Sequence, residues 1–314
     1  MEPNYNEEFE KQILLKAKSK ARWNTIIVIF SILLLFLPIS YLSTVIFYSV
    51  NNKANDQILA IETVYTLTDP SLRIDDNKVK NAFTPLLGLN IKAPLLKRYG
   101  SKIYEVGEYS SSMGFGKAFI QYNRMNIPRP KGTSFPYELV LNEVEKDSDK
   151  QWDSLGRLPK GTIVEAFFLL DQSYSPKRIH RLFANKTINI LWNAVDTGIE
   201  SKMLDSEGAQ ATLIGFPTEN KAPENSTFRE TNSAEELFKE QLKFLKNHQE
   251  MVDNITGQQS IAAGERLSYI KKNGVKVYGL NVVGPVEEIL KNKSNNKIKG
   301  IKIEDIGTWE WSEN

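Results

Sequence analysis

Asp196-Thr197-Gly198 is the string in this chain whose residue types best suit catalysis. Two such strings brought face to face let a pair of carboxylates share a proton and activate water. Leu213-Ile214-Gly215 resembles the apolar-apolar-glycine element of such hydrolases. The spacing between the two strings is too short for that fold, and no second Asp-Thr-Gly occurs, so a dimer would have to supply one. Asp and Gly are also ordinary turn formers. A strand followed by a turn is therefore expected here, without catalysis.

Other chemistry candidates are weaker. Gly114-Phe115-Gly116-Lys117 has glycines for a phosphate cradle but lacks the Ser or Thr that should follow the lysine; a hairpin is expected. His180 lies beside Arg178 and Arg181 with no ligand partner at helical spacing, and His248 is far away in sequence. The absence of Cys removes disulfides, cysteine zinc sites and thiol nucleophiles. Trp152, Trp192, Trp309 and Trp311 would make a stacking platform, although core packing is their usual fate. Gly156-Arg157-Leu158-Pro159-Lys160-Gly161 reads as a turn ahead of a strand, with ligand contact by Arg157 or Lys160 the lesser reading. No catalytic, cofactor-binding or metal residue is assigned, and neither an enzyme nor a cofactor is expected.

The elements that must carry any function are more legible. A chain of 314 residues allows one or two domains, and 41% hydrophobic residues suffice for a buried core. The net charge of +2 is too small to argue for direct nucleic-acid binding. One segment is far from average. No charged residue occurs from Trp23 to Asn52, and Thr25–Val50 is almost wholly apolar. Its 26 residues make roughly 39 Å of helix, against a hydrocarbon core of about 30 Å. Tilt, or a bend at Pro38, takes up the surplus. A cleaved signal peptide has a shorter apolar run, and Tyr48-Ser49-Val50 is a poor cleavage site.

Lys11, Lys16, Lys18, Lys20 and Arg22 precede the span with no acid among them from 11 to 22. On the far side Lys53 is soon followed by Asp56 and Glu62. The positive-inside rule then places the amino terminus in the cytoplasm and everything beyond about residue 53 outside. In the tail, Phe9, Ile13 and Ala17 recur at helical spacing with Leu14 beside them. That face either lies in a partner groove or continues the anchor, with the basic residues at lipid headgroups.

The expected organisation is a cytoplasmic tail (1–22), a transmembrane helix (23–50), a first extracytoplasmic unit (53–141) and a carboxy-terminal domain (148–314). In the first unit Gln57–Leu67 is apolar-rich with β-branched residues, 102–106 and 118–122 read as strands, and Ser110–Gly114 as the loop between them. The charged run Glu143–Lys150 reads as a linker or exposed edge. In the second unit, strands are expected over 162–170, 187–195, 211–216, 275–283 and 298–306. Short helices are expected from Pro176, from Ser233 (with Glu236 completing a capping box), up to Gly274, and from Pro285. Such interspersed elements imply an α+β fold: an extracytoplasmic α/β sandwich with a mixed sheet after one membrane helix.

Three runs carry a resemblance. Gly156–Ala166 (Gly-Arg-Leu-Pro-Lys-Gly-Thr-Ile-Val-Glu-Ala), Leu191–Gly198 (Leu-Trp-Asn-Ala-Val-Asp-Thr-Gly) and Val277–Pro285 (Val-Tyr-Gly-Leu-Asn-Val-Val-Gly-Pro) resemble, in order, motifs of the sigma factor regulator family of Gram-positive bacteria. They cover that family's carboxy-terminal domain, and residues 12–105 look like its amino-terminal region. The resemblance implies a membrane-anchored anti-sigma factor, or an accessory subunit of one. Such a protein tethers an extracytoplasmic-function sigma factor until an envelope stress signal releases it, and so regulates transcription. The implied partners are a sigma factor, membrane lipid and a second membrane protein. An anchored envelope-sensing module with no sigma partner is the alternative.

Overall fold

The computed structural model describes residues 4–99, 102–114, 117–124, 141–183, 187–200, 212–219, 228, 231–256 and 261–307. The chain begins with one continuous helix, α1 (Asn4–Ser49), which runs through Pro38 and includes both the basic tail and the apolar span. Residues Phe9–Ser49 are long and apolar enough to cross a membrane. Asn52, in the left-handed conformation (φ 57°), separates α1 from α2 (Lys53–Thr68).

The sequence reading of Gln57–Leu67 did not recognise this helix. Of its buried residues, Ala54, Gln57, Ala60, Ile61, Val64, Tyr65 and Thr68 recur at three- and four-residue spacing, and Thr63 and Leu67 are buried beside that face. Burial of that face outweighs the modest helix propensity of its β-branched residues.

Two five-stranded sheets follow. The first contains β1 (Leu72–Ile74), β2 (Lys80–Thr84), β3 (Gly88–Tyr99), β4 (Lys102–Gly114) and β5 (Lys117–Arg124). Ser110–Gly114 is not a loop: it lies inside β4, paired with β3 through Ser112↔Asn90 and with β5 through Ser112↔Phe119. A complete ladder on both sides holds a serine-rich stretch that propensity alone would leave irregular. Gly114↔Lys117 closes the expected hairpin.

The charged run 143–150 is also corrected. It belongs to α3 (Leu141–Lys146) and α4 (Ser148–Gly156). The charges are the solvated side, while Val144, Trp152 and Leu155 are buried. Then come β6 (Ile163–Tyr174), α5 (Pro176–Leu182), β7 (Asn189–Val195), β8 (Gly215–Pro217), α6 (Ala234–Asn247), α7 (Gln249–Thr256), α8 (Ala263–Asn273), β9 (Val277–Pro285), α9 (Val286–Leu290) and β10 (Ile298–Gly307). The second sheet has the order β10-β6-β9-β7-β8. The α+β class holds. Every described strand pairing is antiparallel, however, where a mixed sheet was expected.

The strand β6 shows why its run reads so apolar. Val164, Ala166, Phe168 and Leu170 pack in one core, and Phe167 and Leu169 in another on the opposite face. Both faces of the sheet are covered, which accounts for the near-continuous apolar run. On β10, an edge strand, the amides of Ile301 and Ile303 donate to Ser148 Oγ (3.3 Å) and Gln151 Oε1 (3.1 Å) of α4. That satisfies two edge donors and blocks edge pairing. The serine half of the capping box at Ser233 forms as expected, its Oγ accepting from the Glu236 amide at 3.2 Å, while the returning carboxylate bonds one residue before the cap. Glu236 Oε2 reaches back to the Asn232 amide, 3.1 Å away.

One hydrophobic cluster joins the two parts of the chain. It contains Ile61, Val64 and Tyr65 of α2, Leu89 and Ile91 of β3, and Phe238, Leu242 and Leu245 of α6. Helix α2, which continues from α1, is thus packed into the core of the carboxy-terminal part.

Candidate functional site

The tail residues lie on the first turns of α1. Phe9, Ile13 and Leu14 are more than half exposed, and Ala17 is exposed on the same continuous helix. Lys11, Lys16, Lys18, Lys20 and Arg22 are all exposed around them. Helical geometry brings Phe9, Ile13 and Ala17 to one stripe, so α1 presents an apolar strip next to five cations. Such a strip can lie in a groove of a partner, and such cations can meet an anionic surface.

The three motif runs meet in the middle of the second sheet. β9 sits between β6 and β7, with Val164↔Gly284 on one side and Ala194↔Gly279 on the other. The Gly161 amide donates to Glu287 Oε1 at 2.9 Å, and the Val286 amide to the Thr162 carbonyl at 2.8 Å. The Gly-Arg-Leu-Pro-Lys-Gly segment is therefore a turn locked to the start of α9, with Arg157 and Lys160 exposed. Gly279 must be glycine: a Cβ there would lie 2.2 Å from Phe167 Cζ.

Asp196-Thr197-Gly198 forms a turn, as expected. Asp196 Oδ1 accepts from the Gly198 amide at 3.1 Å, and Gly198 has φ +81°. The surprise is what anchors it. Arg266 of α8 is completely buried. Its Nη1 donates to Thr197 Oγ1 and Glu200 Oε1, both at 2.8 Å, and its Nε to the Ile261 carbonyl at 2.7 Å. Burial lowers the Arg266 pKa, and the Glu200 carboxylate opposes that shift. The buried charge is thus paired and hydrogen-bonded, as it must be. Sequence reading missed this network, although Arg266 sits on the same helical face as Ala263, Leu267 and Ile270.

A second buried ion cluster joins the two sheets. Lys97 of β3 contacts Asp305 of β10 and lies 3.3 Å from Glu165 of β6, whose Oε1 accepts from Asn281 at 3.1 Å. Burial raises the Glu165 pKa against the pull of Lys97.

Between α2, the β1 region and β7 opens a cleft of about 630 Å³. Its titratable lining is Glu62, Arg73, Asp75, Asp76, His180 and Glu219. Leu96, Ile103, Phe183 and Ile190 supply apolar wall. The Arg73 guanidinium donates through Nη1 to the carbonyls of Asp69 (2.8 Å) and Leu72 (2.6 Å), which fixes it at the rim of β1. Burial and the neighbouring Asp76 push the Glu62 carboxyl up to about 8. His180 lies on an exposed helix face, as expected, but that face borders the cleft. Of the tryptophans, Trp152 and Trp192 are core residues, and Trp309 and Trp311 lie outside the described residues. Among the described residues no cluster of His, Cys, Asp and Glu is arranged to hold a metal.

Comparison with known proteins follows this division. Residues 11–104 match the model described as "Sigma factor regulator N-terminal", and residues 155–305 the one described as "Sigma factor regulator C-terminal". The chain is similar to the "Probable anti-sigma-M factor YhdL" of Bacillus subtilis (strain 168). The two are 26% identical over 310 residues, spanning 97% of this chain and 84% of that one. No solved structure matches. The second model spans the three strands on which the motif runs meet, and the first spans the basic helix and α2. The chain belongs to the sigma factor regulator family, a regulatory and non-enzymatic kind whose partner is a sigma factor, and α1 is long and apolar enough to fit a membrane anchor.

Proposed function

We propose that this chain is a single-pass anti-sigma factor, or an accessory subunit of one, that holds an extracytoplasmic-function sigma factor at the membrane. Residues 1–22 lie in the cytoplasm, and residues from about 53 onward lie outside. The stripe Phe9, Ile13, Leu14 and Ala17 is the sigma contact. Lys11, Lys16, Lys18, Lys20 and Arg22 rest on anionic headgroups, at roughly 1 kcal/mol each. The single observation that carries this reading is that apolar stripe, exposed on a helix continuous with the anchor. The similarity to a relative named as a probable anti-sigma-M factor supports it.

Regulation is by tethering: no bond is made or broken, no cofactor takes part, and nucleic acid is not touched directly. One helix face buries a few hundred Å² at most, below the roughly 1,200–2,000 Å² of a stable interface. A second membrane protein, or another copy of this chain, therefore adds contacts by avidity.

The reading as an envelope-sensing module is favoured by one observation, the cleft of about 630 Å³ beside α2. In the regulator reading that cleft is where an envelope signal enters, since α2 leads directly to the membrane helix. The test is to isolate the tagged full-length protein from membranes and to identify what accompanies it. A sigma factor in the eluate supports the regulator. Full recovery of the protein without any sigma factor leaves the sensor reading in its place.

A further inference from the structure

The β2–β3 hairpin does not stand free: its tip is docked on one face of α1. Ser40, Thr44 and Tyr48, spaced four residues apart, form that face. The Leu86 amide donates to Ser40 Oγ at 2.7 Å, the Leu87 amide donates to Thr44 Oγ1 at 2.9 Å, and Tyr48 Oη donates to the Leu87 carbonyl at 3.1 Å. The Phe83 ring stacks on Tyr48 with centroids 5.7 Å apart. Thr44 is fully buried by this contact, whereas Ile39, Leu42 and Ile46 on the other faces are more than half exposed.

The depth of the contact follows from the charges. Arg22 is the last charged residue before the apolar run. A hydrocarbon core of about 30 Å needs about 20 helical residues, which from Trp23 reaches Leu42. Ser40 therefore lies inside the hydrocarbon edge, Thr44 just beyond it, and Tyr48 about 9 Å past Leu42 at interfacial depth. The hairpin tip sits where Ser40 sits.

Two features of the tip suit that depth. Backbone donors in hydrocarbon must be satisfied internally, and both tip amides are, by helix hydroxyls. The turn holds Leu86 and Leu87 at positive φ (64° and 56°), a conformation in which Gly or Asn is the usual choice. Leucine there supplies apolar surface that the turn itself does not require, and Leu86 remains 42% exposed.

We propose that the Pro85-Leu86-Leu87 tip is a second membrane contact, inserted at the outer edge of the hydrocarbon core beside α1. Its partner is the acyl-chain region of the bilayer. The contact fixes the first sheet to the helix at the membrane surface, so that α1 cannot turn independently of the sheet. The inference rests on α1 spanning the bilayer.

Because the chain has no Cys, single cysteines can be spin-labelled cleanly in the full-length protein reconstituted in vesicles. The positions are Leu86→Cys at the tip, Leu34→Cys in mid-helix and Lys160→Cys on an exposed turn. Collisions with oxygen report lipid, and collisions with a water-soluble nickel chelate report water. Leu86 is expected to resemble Leu34, with an oxygen-to-nickel ratio severalfold above that of Lys160. In a Ser40→Ala/Thr44→Val background its nickel collisions are expected to rise, because the tip loses its two acceptors. If Leu34 reads as lipid while Leu86 matches Lys160, the hairpin proposal is overturned and the anchor stands. If Leu34 also reads as water, the spanning reading itself fails. An unchanged Leu86 signal in the double background would overturn the docking by the two hydroxyls.

Discussion

Trp192 Nε1 donates to the Thr66 carbonyl at 3.2 Å and ties β7, in the middle of the second family motif, to the last turn of α2. The indole is fully buried. The carboxy-terminal part is therefore attached by a specific contact to the helix that continues from the membrane anchor. Replacing Trp192 with Phe keeps most of the apolar area and loses the hydrogen bond, at a cost of about 1 kcal/mol. Replacing it with Ala leaves a cavity, at a cost of about 3–5 kcal/mol. Thermal unfolding of the detergent-solubilised chain should rank them in that order. A Phe variant as stable as the native chain would mean that the hydrogen bond contributes nothing.

Arg266 gives a second prediction. Its removal leaves Glu200 buried without its cation, which costs about 3–5 kcal/mol. Replacing both residues together, Arg266→Met with Glu200→Gln, should cost less than Arg266→Ala alone. A double variant as damaged as the single one, by the same unfolding measurement, would show that the ion pair is not the relevant interaction.

Asp196→Ala should leave regulation intact, because the carboxylate only closes a turn and accepts a 3.4 Å hydrogen bond from Tyr269. Sigma-dependent transcription in cells carrying the variant should match that with the native chain. Loss of regulation by a variant that still reaches the membrane would revive a chemical role for the string.

Glu62 sets a pH dependence. Its carboxyl has an ordinary value of 4.5 and is pushed up to about 8 in the folded chain. Between those values the unfolded chain releases the proton and the folded chain keeps it. The group therefore weakens the fold progressively as pH rises through that window, by up to about 1.4 kcal/mol per pH unit. Below the window both states are protonated and the effect vanishes. Glu62→Gln should accordingly raise the melting temperature at about pH 9 and leave it nearly unchanged at about pH 4. An equal shift at both values would mean that the carboxyl titrates normally.

How much of this was legible depended on whether a feature is local. The strands β6, β7, β9 and β10 are β-branched runs bounded by glycine, proline or turn residues, and α6 carries its own capping box, so each could be read from a short window. The helix α2 was not recognised because its β-branched residues masked a helical spacing that only burial against α6, α7, β1 and β8 makes favourable. The three serines of β4 have no strand preference and are held by ladders to β3 and β5. The cleft and the Lys97–Glu165 pair are built from residues more than sixty positions apart. No spacing rule reaches across such a separation, since the contacts exist only once the two sheets have packed.

The central claim is that the stripe on the first turns of α1 holds the sigma factor. Phe9→Asp with Ile13→Asp places carboxylates where apolar surface should be buried, a cost of several kcal/mol in any groove. The decisive measurement is sigma-dependent transcription in cells whose only copy of the chain is this double variant, with its arrival at the membrane checked by fractionation. Transcription should rise toward the level seen without the protein. Repression as tight as with the native stripe would contradict the claim.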